Sequence, residues 1–483
     1  VKQGVFIGLI GFCVGISIGE YRPLALYVAI FILCVTFGLL IIKRFMFRFQ
    51  TKYVYVCIIV LSGISLGLIR TEYAYMRLPD SIFDTSIGIK QELKIKVVSP
   101  VDVRESSARF IAKPIIDGVS DTQVPYIRVT LPRMNEVTYG DVVILEGTVV
   151  SVMTNSKTYA RASESLVRRG ILYEVRLPEI KSIEYGKGNL FYMKLYSFGD
   201  EIKHRINVYV REPSAGFING ILLGEKHGLS DEWYDKFTNI GLTHVIVLSG
   251  YNLAIIFAWT RTTLRRTPFF VQHLCGAFAV IALMLVSGAE APAVRAAILV
   301  LTASLAALLR RQEDAGYFLS LTVLAMLLWN PFYLLYDISF QLSVAATYGL
   351  TYLAPALGRY IFNKPKFAHE LVRDTMSAQI VVLPLQLFYF GTLSWVSLFA
   401  NILILPFIPI LMILGVFVLI FSFVPFLGLC AGTITTLLSD VVLSMVSFFA
   451  SHTQIISISI SLLTFFVLYS LIIIFISNSR KVV

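Results

Sequence analysis

Windows of about twenty mostly apolar residues recur along this chain, and lipid admits only helices and closed barrels as spanning backbone. The chain has 483 residues, 57% of them hydrophobic, and a mean hydropathy of +0.76. Soluble domains lie nearer to about 45–50% apolar. The sequence therefore predicts a polytopic α-helical membrane protein, with about 11–13 transmembrane or half-spanning helices. The formal net charge is +11. Much of that excess lies in short loops between apolar runs, where it sets orientation before it suggests a polyanionic partner.

The first three apolar runs are Val5–Gly19, Leu24–Ile42 and Tyr53–Ile69. Lys43, Arg44, Arg48 and Lys52 lie between the second and third, which puts that loop and the N-terminus inside. The Val5–Ile18 run ends at Glu20-Tyr21-Arg22-Pro23 without a small-residue cleavage pattern, so it reads as a retained helix rather than a cleaved signal. Residue 1 is Val, as in a fragment or a non-AUG start translated literally.

Between residues 71 and 185 the pattern changes to period two. Leu93–Val97, Tyr126–Leu131, Val142–Val150 and Gly170–Leu177 alternate like strands, and Gly140-Asp141 makes a turn. About five short strands in this length suit an inserted small barrel of the OB type on the outer side. Lys94, Lys96, Arg104, Arg109, Arg128 and Arg133, beside Phe110 and Tyr126, are its candidates for contact with a single strand, through backbone attraction and base stacking. The alternative for each is an ordinary solvated β surface. Residues 186–239 read as an amphipathic, interfacial linker, with Phe191, Leu195, Phe198, Ile202 and Ile206 near helical spacing.

The second membrane block, residues 240–483, opens on Gly241–Ile256, an apolar stretch carrying His244, Ser249, Gly250 and Asn252. Ser-Gly is a poor helix interior, and irregular backbone at membrane depth survives only against protein or a wet cavity. Polar groups there mark a pathway, or small residues simply pack helices closely. The runs Gly241–Trp259, His273–Ser287, Ala293–Leu309, Phe318–Trp329 and Phe332–Leu353 alternate in direction so that each basic loop falls inside. Beyond them, Pro384, Pro406, Pro409 and Pro425 interrupt the apolar stretches. Arg295 after Glu290, then Asp337, Gln341, Ser343, Gln379, Gln386 and Asn401, lie at costly depths. They suggest one aqueous path, or helix-to-helix hydrogen bonds, the reading preferred for Gln379 and Gln386.

No metal or cofactor is expected: the five cysteines form no CxxC pair, the six histidines form no HExxH, and no P-loop is present. His244 is poorly spaced to serve Ser249 as a base on one helix, and GxSxG is absent, so a serine hydrolase is disfavoured.

In order along the chain, Gly220-Ile221-Leu222-Leu223-Gly224, Leu229-Ser230, Gly241-Leu242-Thr243-His244, Val294-Arg295-Ala296-Ala297, Phe340-Gln341-Leu342-Ser343, Leu383-Pro384 and Phe399-Ala400-Asn401 through Pro406 resemble the ComEC/Rec2 family of inner-membrane DNA-uptake channels. Gly140-Asp141 and Arg168-Arg169-Gly170-Ile171 resemble that family's N-terminal OB-like domain. The resemblance implies a multi-pass channel in the cytoplasmic membrane, not an enzyme, that passes single-stranded DNA inward during natural transformation. It makes His244, Ser249, Gly250, Asn252, Arg295, Asp337, Gln341 and Asn401 candidates for lining the path, and Lys94, Lys96, Arg128 and Arg133 candidates on the barrel. Two departures stand out. The family's Ser-Gly-Leu-His reads Ser249-Gly250-Tyr251-Asn252 here, which removes a titratable group. Many members also continue into a metallo-β-lactamase-like domain, whereas this sequence stops at Val483. The expected partners are thus single-stranded DNA, membrane lipids, a separate nuclease and a cytoplasmic DNA-translocating ATPase. A transporter of another polyanion or a lipid-linked substrate is the rival reading.

Overall fold

The computed structural model describes residues 2–21, 27–33, 35–36, 51–79, 82–103, 107–116, 124–132, 137–152, 160–225, 228–246, 248–289, 291–309, 315–360 and 367–481. Most of the expected Leu24–Ile42 helix, and all of Arg104, Arg133 and Glu290, lie outside these residues.

Helices α1 (Lys2–Gly19) and α2 (Thr51–Met76) form a tight pair. Their contact rests on missing side chains. A Cβ on Gly15 would stand 2.1 Å from the Ile64 carbonyl oxygen, and one on Gly67 would stand 2.3 Å from that of Phe12. Small residues let helix backbones approach where lipid supplies no hydrophobic drive between them.

The inserted domain is a closed five-stranded barrel of β1 (Lys90–Val97), β2 (Ser107–Pro114), β3 (Tyr126–Pro132), β4 (Val142–Ser151) and β5 (Ile171–Arg176). Around the barrel the order is β1-β2-β3-β5-β4 and back to β1; β3 and β5 run parallel and the other pairs antiparallel. This is the OB-like arrangement expected. A short helix, α3 (Ala160–Val167), lies between β4 and β5, and β6 (Glu179–Glu184) adds to the free part of β4's edge. Alternation fills the core with Ile95, Phe110, Ile127, Val129, Leu131, Val143, Leu145, Tyr173 and Val175. Phe110 is thereby withdrawn from the expected DNA-stacking surface: β2's period places it inward, 2% exposed.

The Gly140-Asp141 turn has a physical cause. Gly140 has φ +88°, and a Cβ there would strike Gly188 Cα at 2.3 Å. The buried Asp141 carboxylate accepts from the Thr138 amide and hydroxyl, both at 2.8 Å, and from the Gly186 amide at 3.0 Å. The turn therefore fastens the chain leaving the barrel as it enters α4 (Leu190–Tyr209). The first half of α4 leaves Leu190, Phe191 and Phe198 exposed, while its end packs on the C-terminal helices. Helix α5 (Ser214–Leu223), in the expected interfacial linker, is buried at every residue. After it come α6 (Asp231–Asn239), α7 (Gly250–Thr263), α8 (Phe269–Val286), α9 (Ala291–Leu308) and α10 (Ala315–Trp329). They are followed by α11 (Tyr333–Tyr336), α12 (Ile338–Tyr348), α13 (Ala354–Tyr360) and α14 (Phe367–Phe390). The last four are α15 (Ser397–Ile404), α16 (Phe407–Phe421), α17 (Pro425–Ser451) and α18 (Leu462–Lys481).

Among the described residues four stretches are long and apolar enough to cross a bilayer: Val54–Met76, Phe269–Val286, Pro425–Ser451 and Leu462–Ser479. The pair α15 and α16, bent by 45° across Leu405 and Pro406, makes a fifth if counted as one span. Gly4–Gly19, Ser214–Leu223, Ala293–Leu308 and Ala315–Trp329 are apolar but shorter. The protein is a helical membrane protein in which helices long enough to span occur together with shorter apolar ones. Polar residues also divide two of the expected runs. The expected run Gly241–Trp259 becomes helical only at Gly250, and Phe332–Leu353 is divided at Asp337.

Candidate functional site

The break before α7 is built by its own side chains. Ser249 caps the helix: its Oγ accepts from the Asn252 amide at 3.4 Å and donates to Asn252 Oδ1 at 3.1 Å. Asn252 Nδ2 then donates to the Ile221 carbonyl at 3.0 Å, tying the helix start to buried α5. Asn252 is 1% exposed. Gly241 (φ +74°) lies against Ser397, and the turns after it lead to His244. His244 is exposed.

Gly250, the first residue of α7, lines a cavity of about 60 Å³ with Arg295, Thr322, Phe340, Ser343 and Thr347. Arg295 is 7% exposed, and its Nε and Nη1 have no hydrogen-bond partner. Its guanidinium carbon lies 5.9 Å from the centre of the Phe340 ring. Thr322 Oγ1 is also buried without a partner. Asp337 is near enough to act on the Arg295 charge, but no ion pair joins them; its carboxylate caps α12 by accepting from the Phe340 amide at 2.8 Å. A buried guanidinium with open donors, next to the positive end of a helix, has the chemistry to attract an anion. The cavity is well below the roughly 150 Å³ that holds a benzene ring, so it suits a phosphate-sized group rather than a base.

The other expected lining residues are used locally. Gln341 donates to the Leu334 carbonyl at 2.7 Å and accepts from the Tyr389 hydroxyl at 2.5 Å. Asn401 donates to the Ser397 carbonyl at 2.9 Å. The structure thus brings Gly250, Arg295 and Asp337 together, hangs Ser249 and Asn252 beside them, and holds Gln341 and Asn401 in separate contacts. Thr322 and Thr347 were not legible as site residues, because a threonine inside an apolar run carries no signal of its own. The Ser249 hydroxyl is engaged by Asn252 and not by a histidine. Among the described residues no group of three or more His, Cys, Asp or Glu is placed to hold a metal ion.

On the barrel, charge divides by face. Over β1, β4 and β6, Lys90 pairs with Glu146 and Glu179, Lys94 with Glu184 at 3.6 Å, and Lys181 with Glu92 and Glu146. Hydrogen bonding to Lys181, with its charge and that of Lys90, holds the Glu146 carboxyl below its ordinary range, and Lys181 is raised by Glu92 and Glu146. This surface neutralises itself. Around β2, β3 and β5 the balance is different. Lys96 stands opposite Lys113, Arg109 stands opposite Asp102, and Arg128 and Arg176 share the Glu174 carboxylate. Lys113 Nζ lies 5.8 Å from the centre of the Tyr126 ring. Of the expected barrel candidates, Lys94 is committed to an ion pair, Arg128 and Lys96 border the basic face, and Arg133 lies outside the described residues.

Comparison with known proteins gives three findings. Residues 221–481 match the family described as "Competence protein". ComE operon protein 3 of Bacillus subtilis (strain 168) is 25% identical over 249 residues, which cover 51% of this chain and 31% of that protein. The alignment thus spans about a third of the relative's length. No solved structure matches. With more than half its length matched, from the last turn of α5 through α18, the chain belongs to the competence protein family.

Proposed function

We propose that this protein passes single-stranded DNA inward across the cytoplasmic membrane, with the barrel on the outer side receiving the strand. The family assignment supports a role in DNA uptake, and the relative is named as a protein of the ComE operon. The observation that carries the reading is the Arg295 guanidinium, two of whose nitrogens lack partners, buried against the start of α7 inside the helical domain. An isolated cation at that depth costs several kcal/mol unless an anion or water accompanies it. A backbone phosphate is the anion that a basic barrel face would deliver.

The basic surface of β2, β3 and β5 supports the outer half of the path, since OB barrels take oligonucleotides across strands 2 and 3. The 60 Å³ cavity corresponds to a closed path that admits one phosphate, and passage requires the helices around Arg295 to separate. The basic residues after position 42 support an inside position for that segment and for the N-terminus. Drive would come from a cytoplasmic translocating ATPase, and removal of the complementary strand from a nuclease.

The test is internalisation of labelled single-stranded DNA by a deletion strain complemented with Arg295→Gln. The expected outcome is loss of internalised label at unchanged protein level and unchanged surface-bound DNA. Uptake equal to that of the unmodified chain would remove Arg295 from the path.

A further inference from the structure

Arg168 and Arg169 end the turn after α3, between barrel strands β4 and β5. Their surroundings differ. The Arg168 guanidinium is boxed by three rings, with its carbon 4.6 Å from the centre of Tyr75, 4.9 Å from Tyr336 and 5.1 Å from Phe332. It pairs with Glu20 at 2.8 Å, and the hydroxyls of Tyr75 and Tyr336 both donate to the same carboxylate. Glu20 follows α1, Tyr75 is in the last turn of α2, Phe332 precedes α11 and Tyr336 is its last residue. One barrel side chain is thus gripped by three separate parts of the helical domain. Side-chain exposure of Arg168 and of Glu20 is 17% each.

Arg169 next to it is exposed and forms no ion pair among the described residues. It acts electrostatically on Tyr333, and so do Arg295 and Asp337. Tyr333 is therefore within electrostatic reach of both the exposed arginine of the barrel and the buried arginine of the cavity. The contacts run in one line: Arg168 to Tyr336, Asp337 next in sequence, Asp337 to Phe340, and Phe340 under Arg295.

We propose that Arg168 is a positioning residue that seats the barrel on the mouth of the helical domain, so that Arg169 hands backbone phosphates to the Arg295 pocket. This rests on the reading that single-stranded DNA is the cargo. Adjacent arginines divide the work. The caged one supplies geometry through cation–π contact and a charge-assisted bond. The free one supplies a mobile phosphate contact.

The experiment uses the full chain with Arg168→Gln, Glu20→Arg, Arg168→Glu, the double swap Glu20→Arg/Arg168→Glu, and Arg169→Gln. Three quantities are read: surface-bound labelled single strand, nuclease-protected internalised label, and backbone hydrogen exchange over residues 160–170 of the purified protein without DNA. In Arg168→Gln, surface binding should change less than about twofold while internalisation falls about tenfold or more, with faster exchange at 160–170. Each charge reversal alone should do the same, and the double swap should recover internalisation and slow exchange, as coupled partners do. Arg169→Gln should lower internalisation without loosening the seat. Exchange that quickens in Arg168→Gln while internalisation stays normal would overturn the proposal, and so would a double swap no better than the worse single change. If the unmodified chain internalises no single strand, the cargo reading fails, and the exchange data alone decide whether Arg168 seats the barrel.

Discussion

Arg128 and Arg176 both donate to one oxygen of Glu174, at 3.0 and 3.1 Å, across the β3–β5 pair of the barrel. That carboxylate holds two guanidiniums that a phosphate would otherwise attract. Glu174→Gln removes the competing charge and keeps the side-chain shape. Single-stranded DNA should bind the full chain more tightly. The log–log salt slope should steepen by roughly 0.7, the increment for one more phosphate contact on a single strand. Fluorescence anisotropy across a salt series measures both.

The same carboxylate gives a pH dependence. Burial would push the Glu174 carboxyl up, but hydrogen bonds and charge from Arg176 and Arg128 outweigh it and hold the group below its ordinary value. A depressed folded value stabilises the barrel above the unfolded value of about 4.3, and that contribution is lost as pH falls through the folded value. Exchange protection of β3 and β5 should therefore decline on acidification below about pH 4.3. It should decline less in Glu174→Gln, which has no proton to gain.

The two barrel faces should respond differently to mutation. Lys94→Gln removes a cation already paired with Glu184 at 3.6 Å, on the self-neutralised face, and should leave single-strand affinity unchanged. Tyr126→Ala removes a half-exposed ring from the basic face and should cost about 1–3 kcal/mol if a base stacks on it. Equal effects of the two substitutions would show that the strand does not prefer the β2–β3 side.

Legibility in the sequence followed the range of the interactions. The Gly140-Asp141 turn, the break at Ser249-Gly250 and the alternating strands are local events, and each could be read from a few neighbouring residues. Pairings between distant residues could not. Lys94 looked available because Glu184 is 90 positions away, and Arg168 meets Glu20 across 148. Phe110 looked like a stacking residue until the register of β2 turned it inward. Arg295 was legible because a cation in an apolar run is costly wherever it points. Its neighbours Thr322 and Thr347 were not, since threonine is tolerated in any membrane helix.

The α1–α2 contact should fail in a graded way. A side chain at Gly15 meets the Ile64 carbonyl at 2.1 Å, an overlap with rigid backbone that only separating the helices can relieve. Gly15→Leu should lower the melting temperature of the detergent-solubilised protein by more than the 1–3 kcal/mol or so of ordinary over-packing implies. Gly4→Ala, whose Cβ would meet only Ile59 Cδ1 at 3.5 Å, should be tolerated.

Asn252 offers the sharpest separation of architecture from proton chemistry. Its side chain is 1% exposed, gives one hydrogen bond to the Ile221 carbonyl and takes one from Ser249. A neutral histidine also has one donor and one acceptor, so Asn252→His can in principle keep both bonds. Aspartate has no donor for Ile221, and alanine keeps neither bond. The expected order of internalisation is therefore asparagine and histidine high, aspartate and alanine low. Alanine should also lose about 1–3 kcal/mol of stability from the stranded buried groups. Because the pinned helix start needs hydrogen bonds and not a titrating group, uptake by the asparagine chain should be flat with pH around 6.5, the region where a free histidine changes charge. A histidine variant that alone acquires a step in that region, with a higher plateau, would mean that this position carries protons rather than holding α7 in place.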